Sequence, residues 1–279
     1  MKFRKAGVVV TLALILSLLL GCQTKKQTLI LATTTSTHDT GLLDEILPIF
    51  EKKYNATVKT IAVGTGEAIA MGQRGEADVL LVHSPKAEEQ FVADGYGVNR
   101  EDVMYNDFVL VGPAADPAGV RGMDASSALK QIASTKALFV SRGDDSGTHK
   151  KEKELWQKAG VQPPSDSYIS TGQGMAETLR IADEKGAYTL ADRGTYLSLK
   201  QSISLTILVE GDKVLFNPYG VIAVNPAKFP KVNYDLAVKF INWITSLETQ
   251  QIIGNFGKEK YGQALFTPNS QEWRAKTGQ

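Results

Sequence analysis

Cysteine occurs once in the 279 residues and histidine three times. One cysteine excludes any internal disulfide, so stability has to come from a packed core. His38, His83 and His149 fall in separate segments with no metal-ligand spacing, which argues against a bound cation. The 31 Lys+Arg against 30 Asp+Glu form no basic block, so nucleic acid is not an expected partner. Internal repeats and low-complexity tracts are lacking. The longest apolar run, residues 8–20, falls short of the roughly 20 residues that a membrane-spanning helix takes.

The composition that remains is 43% hydrophobic and 22% charged, ordinary for one large or two modest globular domains. Lys2, Arg4 and Lys5 precede the apolar run, and Leu19-Leu20-Gly21-Cys22 closes it in the manner of a bacterial lipobox. Leu20 is a looser match than the small residue usual at that position. The expectation is a lipoprotein signal peptide over 1–21, acylation of Cys22 and a tether over 22–27. Removal of the signal takes the formal charge from +1 to −2.

The mature chain reads as alternating strands and helices. An apolar run at 28–32 leads into Thr33-Thr34-Thr35-Ser36-Thr37, and 42–54 then carries Leu42, Leu43, Ile46, Leu47 and Phe50 at helical spacing. A second unit follows at once, with a strand at 56–63, the turn Gly64-Thr65-Gly66-Glu67 and a helix over 68–75. Gly64 and Gly66 do not complete a dinucleotide fingerprint, because the third glycine would fall at Ile69. A strand at 78–83 and a helix at 86–95 make a third unit. The pattern predicts a parallel sheet covered by helices on both faces. A strand at 107–111 precedes the Pro-rich connection 112–117, and 217–226 repeats the same turn-and-strand character. Two such crossings predict two lobes, one of them discontinuous, with a strongly helical C-terminal segment over 230–254.

The densest chemistry lies at Ser141-Arg142-Gly143-Asp144-Asp145-Ser146-Gly147-Thr148-His149, between a buried-looking strand at 137–140 and a helix reaching Ala159. The first N–H groups of a helix have no partner within it and carry the positive end of its dipole, so a small anion can be held there. Gly147 permits close approach, Ser146 and Thr148 add hydroxyls, and Arg142 offers a rigid fork of charged donors. The plainer reading is a helix cap made by Asp145 or Ser146, with Arg142 paired to Asp144.

Three strand-to-helix turns are thus rich in hydroxyls or glycines: 33–37, 64–67 and 142–148. Ligands of open α/β sheets bind beyond the carboxyl ends of the strands, where these turns lie, and the set suits a tetrahedral oxyanion held between two lobes. Asp145-Ser146-Gly147-Thr148 also spells an aspartic-protease signature, but the second carboxylate which that chemistry needs has no counterpart. Ser146 with His149 lacks the strained G-x-S-x-G elbow of a hydrolase. Catalysis is not expected.

Thr33-Thr34-Thr35-Ser36-Thr37, Val63-Gly64-Thr65-Gly66, residues 78–85, 141–149 and 188–194 resemble, in order, the substrate-binding proteins of tungstate ABC importers. These belong to the periplasmic type II solute-binding class, which includes molybdate and phosphate binders. The resemblance implies an α/β fold of two Rossmann-like lobes with a hinge and an interlobe cleft. It implies lobe 1 at 28–111 with 217–279 and lobe 2 at 112–216, with no cofactor. It also implies oxyanion donors among Thr34, Thr35, Ser36, Thr65, Arg142, Ser146, Gly147 and Thr148. The implied partners are tungstate, with molybdate or phosphate as the alternative, an ABC permease with its ATPase, and a membrane reached through lipid on Cys22. The protein would then work outside the cytoplasm. Hydrogen phosphate carries a proton and needs an acceptor, whereas tungstate and molybdate need donors only. Asp144 is either that acceptor or the group that orients Arg142, and the second is preferred.

Overall fold

The computed structural model describes residues 26–278. The expected signal peptide, Cys22 and the tether residues up to 25 therefore lie outside the described residues. Among the described residues ten strands are formed: β1 (Gln27–Thr34), β2 (Ala56–Val63), β3 (Val79–Val82), β4 (Gly97–Gly112), β5 (Phe139–Ser141), β6 (Tyr168–Ser170), β7 (Thr189–Asp192), β8 (Thr206–Val209), β9 (Phe216–Val224) and β10 (Thr267–Pro268). The helices are α1 (Thr35–Asp39), α2 (Leu42–Tyr54), α3 (Thr65–Gln73), α4 (Pro85–Ala93), α5 (Ala125–Thr135), α6 (Gly147–Ala159), α7 (Met175–Lys185), α8 (Arg193–Leu199), α9 (Tyr234–Ile244), α10 (Leu247–Asn255), α11 (Lys258–Tyr261) and α12 (Gln271–Thr277). Among the described residues no helix is long and apolar enough to cross a membrane.

The strands form two sets that share β4. One runs in the order β10-β4-β9-β3-β1-β2. In the other, the last residues of β4 pair with β7 and β8, and β5 lies between β6 and the chain just before β7. The first set is mixed rather than all parallel. β1 pairs in parallel with β2 and β3, but β9 runs antiparallel to both β3 and β4. The reason is topological, since β9 carries the chain back from the second set and enters from the opposite end.

Periodicity explains the layers. Leu29, Leu31, Val79 and Leu81 face one core with Phe50, Phe240 and Trp243. Ile30, Ala32, Leu80 and Val82 face the opposite core with Met71 and Phe91. Side chains of a strand alternate between faces, so a strand covered by helices on both sides is apolar at every position. The second set has its own core, with Phe139, Ile132, Leu155, Trp156 and Tyr188. The expected C-terminal helix is two, α9 and α10, broken where Ser246 caps the second by accepting from the Thr249 N–H.

Candidate functional site

The parallel pairing decides which corners meet. β1 lies between β2 and β3, with Thr34 opposite Val63 and Thr33 opposite Leu81. The corner after β1 therefore stands between Gly64-Thr65 on one side and His83 on the other. Thr34 ends β1 and caps α1, its Oγ1 accepting from the Thr37 N–H at 3.2 Å. The same oxygen lies 2.6 Å from Thr37 Oγ1, 3.2 Å from Ser36 Oγ and 3.1 Å from His83 Nε2.

His83 is the residue that the sequence reading passed over. Its ring is buried, its Nδ1 lies 3.0 Å from Asn217 Oδ1, and its Nε2 is also 3.3 Å from Ser36 Oγ. Burial, opposed by the Asn217 hydrogen bond and reinforced by the charge of Arg142, pushes the imidazole down to about 4. The ring is thus neutral. Asn217 turns its amide N–H to Asn106 Oδ1 at 2.8 Å, so its carbonyl faces His83 and takes the Nδ1 proton. That leaves Nε2 an acceptor for the hydroxyl of Thr34 or Ser36. Thr34 is buried behind this network, whereas Ser36 reaches the cleft.

Opposite stands the loop between β5 and α6. Arg142 is buried, and its Nε and Nη2 donate to Asp144 Oδ2 at 3.1 and 2.5 Å. Asp144 Oδ1 accepts from the Ser146 N–H at 3.2 Å. Burial pushes the Asp144 carboxyl up, but the Ser146 hydrogen bonds and the Arg142 charge outweigh it and hold it below the ordinary value. Asp144 therefore orients the guanidinium and leaves three of its five N–H groups for a ligand. Ser146 caps α6 through the His149 N–H at 3.3 Å, and His149 Nδ1 accepts from the Asp145 N–H at 3.0 Å. The first-turn N–H groups of Gly147 and Thr148 lie beyond the reach of any carbonyl in their own helix. Gly143 has φ +62, and a Cβ there would fall 1.6 Å from Ser170 Oγ, so only glycine fits.

Between these walls runs a cleft of about 470 Å³ lined by Thr35, Ser36, Asp39, Arg142, Gly194 and Thr195 among others. A second cavity of about 160 Å³ is lined by Thr65, His83, Gly147 and Lys150 among others. The candidate residues thus fall into two groups, with the His83 ring touching both. Ser36, Thr35 and Arg142 share the larger space, and Thr65 and Gly147 share the smaller. Thr34, Ser146 and Thr148 line neither. Thr65 Oγ1 is buried and has no hydrogen-bond partner among the described residues. A methyl group on Gly147 would come within 2.7 Å of His83 Cε1, and one on Gly66 within 3.8 Å of Lys150 Nζ. Among the described residues, no group of three or more His, Cys, Asp or Glu could hold a metal cation.

A model of the PBP superfamily domain matches residues 22–248. Over 248 residues the chain is 57% identical to the tungstate-binding protein TupA of Peptoclostridium acidaminophilum, covering 88% of this chain and 87% of that one. The chain belongs to the PBP superfamily, in the TupA family. The solved structure of the tungstate-binding protein TupA from Desulfovibrio alaskensis G20 is 53% identical, with a TM-score of 0.81 over 88% of this chain and 100% of the other. That of the tungstate ABC transporter from Geobacter sulfurreducens is 54% identical, with a TM-score of 0.75 over 82% of this chain and 98% of the other. The family fold is the one expected, two α/β lobes with a hinge and a cleft.

Proposed function

We propose that this TupA-family chain captures tungstate in the cleft between its lobes and hands it to an ABC permease driven by its ATPase. It performs no catalysis. The observation that carries the reading is the donor set. Ser36 and Arg142 bring a hydroxyl and a full charge to the cleft, Thr65 brings a hydroxyl to the smaller cavity beside His83, and Gly147 and Thr148 open α6 with helix-start N–H groups. Its companion Asp144 is already occupied by the guanidinium and the Ser146 N–H. A bare dianion needs donors and no acceptor.

On this reading lobe 1 comprises 28–111 with 217–279, lobe 2 comprises 112–216, and β4 and β9 carry the hinge. Tungstate touches both lobes only when they close, so its differential contacts favour the closed form, which the permease reads. Lipid on Cys22 keeps the protein at the outer face of the membrane, because a diacylglyceryl group brings more than a single chain. The test is isothermal titration of the purified chain with tungstate, molybdate, sulfate and phosphate. Tungstate is expected to bind most tightly or equally with molybdate, and tight phosphate binding without tungstate binding overturns the reading.

A further inference from the structure

One buried carboxyl beside the cleft has no role in the site as described. Asp192 ends β7 and caps α8, its Oδ1 accepting from the Thr195 N–H at 2.8 Å and the Thr195 hydroxyl at 2.9 Å. Its Oδ2 is buried and has no hydrogen-bond partner among the described residues. Topology sets it beside the arginine. Phe139 of β5 lies opposite Tyr188 in parallel register, so Arg142, three residues on, and Asp192, four residues on, leave the same end of neighbouring strands. Gly194 and Thr195, which follow Asp192, line the same cleft as Arg142, Thr35 and Ser36.

The charges around Asp192 do not neutralise it. Arg142 acts on it from the β5 side but is held by Asp144. Arg193, next in the chain, is turned to Asp107 and Glu210. Tyr219 on β9, pushed up by burial first and then by Asp192, is a neutral phenol and adds no charge. His83 is neutral, and Asp39 at the cleft wall adds only negative charge. An ionised Asp192 would be a buried charge without its own counterion, in the chain just before the cleft-lining Gly194 and Thr195. Desolvation and repulsion both favour the protonated form. In agreement, burial pushes the carboxyl up against the opposing Thr195 hydrogen bonds and Arg142 charge.

We propose that Asp192 is a specificity-determining residue that keeps its proton and donates it from Oδ2 to an oxygen of the bound oxyanion. This rests on the tungstate reading above. An ionised Asp192 would be the acceptor that hydrogen phosphate needs, whereas a protonated one is a further donor, which favours a bare dianion and leaves the proton of hydrogen phosphate unmatched. A dianion alongside raises the proton affinity of Asp192 further. Above the pH at which the free protein loses this proton, binding must draw one back from solvent, and affinity falls by up to about tenfold per pH unit.

The test is calorimetric titration of tungstate into the wild-type chain and Asp192→Asn, in steps from about pH 6 to about pH 10. Each step uses paired buffers of different ionisation enthalpy. The wild type is expected to lose affinity on the alkaline side and to take up about one proton there. Asp192→Asn, whatever its absolute affinity, is expected to show neither slope nor proton uptake from this position. If the variant does not fold, the proton count of the wild type still decides. Tungstate binding that is flat with pH and independent of buffer, or a slope that persists unchanged in Asp192→Asn, overturns the role of Asp192 while leaving tungstate as the ligand. Failure of the wild type to bind tungstate at any pH overturns both.

Discussion

His83 Nδ1 lies 3.0 Å from Asn217 Oδ1, and that contact ties the corner after β1 to the β4–β9 pair. Asn217 in turn donates to Asn106, its opposite residue across the β4–β9 pair. One hydrogen-bonded line thus runs from the Thr34 hydroxyl through a neutral imidazole and Asn217 to Asn106 on β4.

The neutrality of His83 gives the fold an acid limit. Burial holds its folded value at about 4, against an unfolded value of about 6.5. Its contribution is fully present above the unfolded value and is lost as pH falls through the folded one, with a size on the order of 3 kcal/mol. Denaturant unfolding at about pH 7 and about pH 4.5 checks this, with His83→Asn expected to lose less stability on acidification than the wild type. An identical loss in both would contradict it.

Gly147 and His83 share the smaller cavity. A methyl there fits the helix start but lies 2.7 Å from the imidazole, so Gly147→Ala obstructs closure rather than folding. A melting temperature close to that of the wild type and a loss of tungstate affinity of tenfold or more, about 1.4 kcal/mol, are expected. Unchanged affinity would show that the lobes do not close over this contact.

Thr65 has a buried hydroxyl with no partner among the described residues. Thr65→Val keeps the shape and removes an unsatisfied group, so the free protein should be as stable as the wild type or more so by up to about 1 kcal/mol. Tungstate binding should weaken by about 1–3 kcal/mol if that hydroxyl serves the anion. Thermal melting with and without tungstate reads both effects.

Glu88 works in the opposite direction from His83. Its carboxylate is fully buried, bonded to the Ser84 N–H and to Arg100, and burial pushes it up to about 7 against the pull of Arg100. A raised carboxyl contributes stability that is complete below its unfolded value and is lost as pH rises through about 7. Between about pH 5 and about pH 8 the wild type should lose stability that Glu88→Gln does not lose. Parallel slopes for the two proteins would rule Glu88 out.

The corners of the site were legible in the sequence because each packs hydroxyls or glycines between an apolar strand and a periodic helix. The length of β4 was not. Its first half carries Arg100, Glu101 and Asp102, a charge run with no strand pattern of its own, which Glu88 and Arg274 partner from distant elements. Register shifts in the same stretch break the period-two pattern as well. His83 stayed hidden because its partners Thr34 and Asn217 are 49 and 134 residues away, and no local pattern announces them. The antiparallel return of β9 was equally invisible, because direction within a sheet is set by where the chain comes from rather than by the composition of the strand.

The most direct measurement is a crystal structure with tungstate, with the metal located by its anomalous scattering. The expected tungsten position lies between the lobes, with its oxygens within hydrogen-bond distance of Arg142, Ser36 and the N–H groups that open α6. A tungsten position outside the cleft, with Arg142 still engaged only by Asp144, would contradict the account.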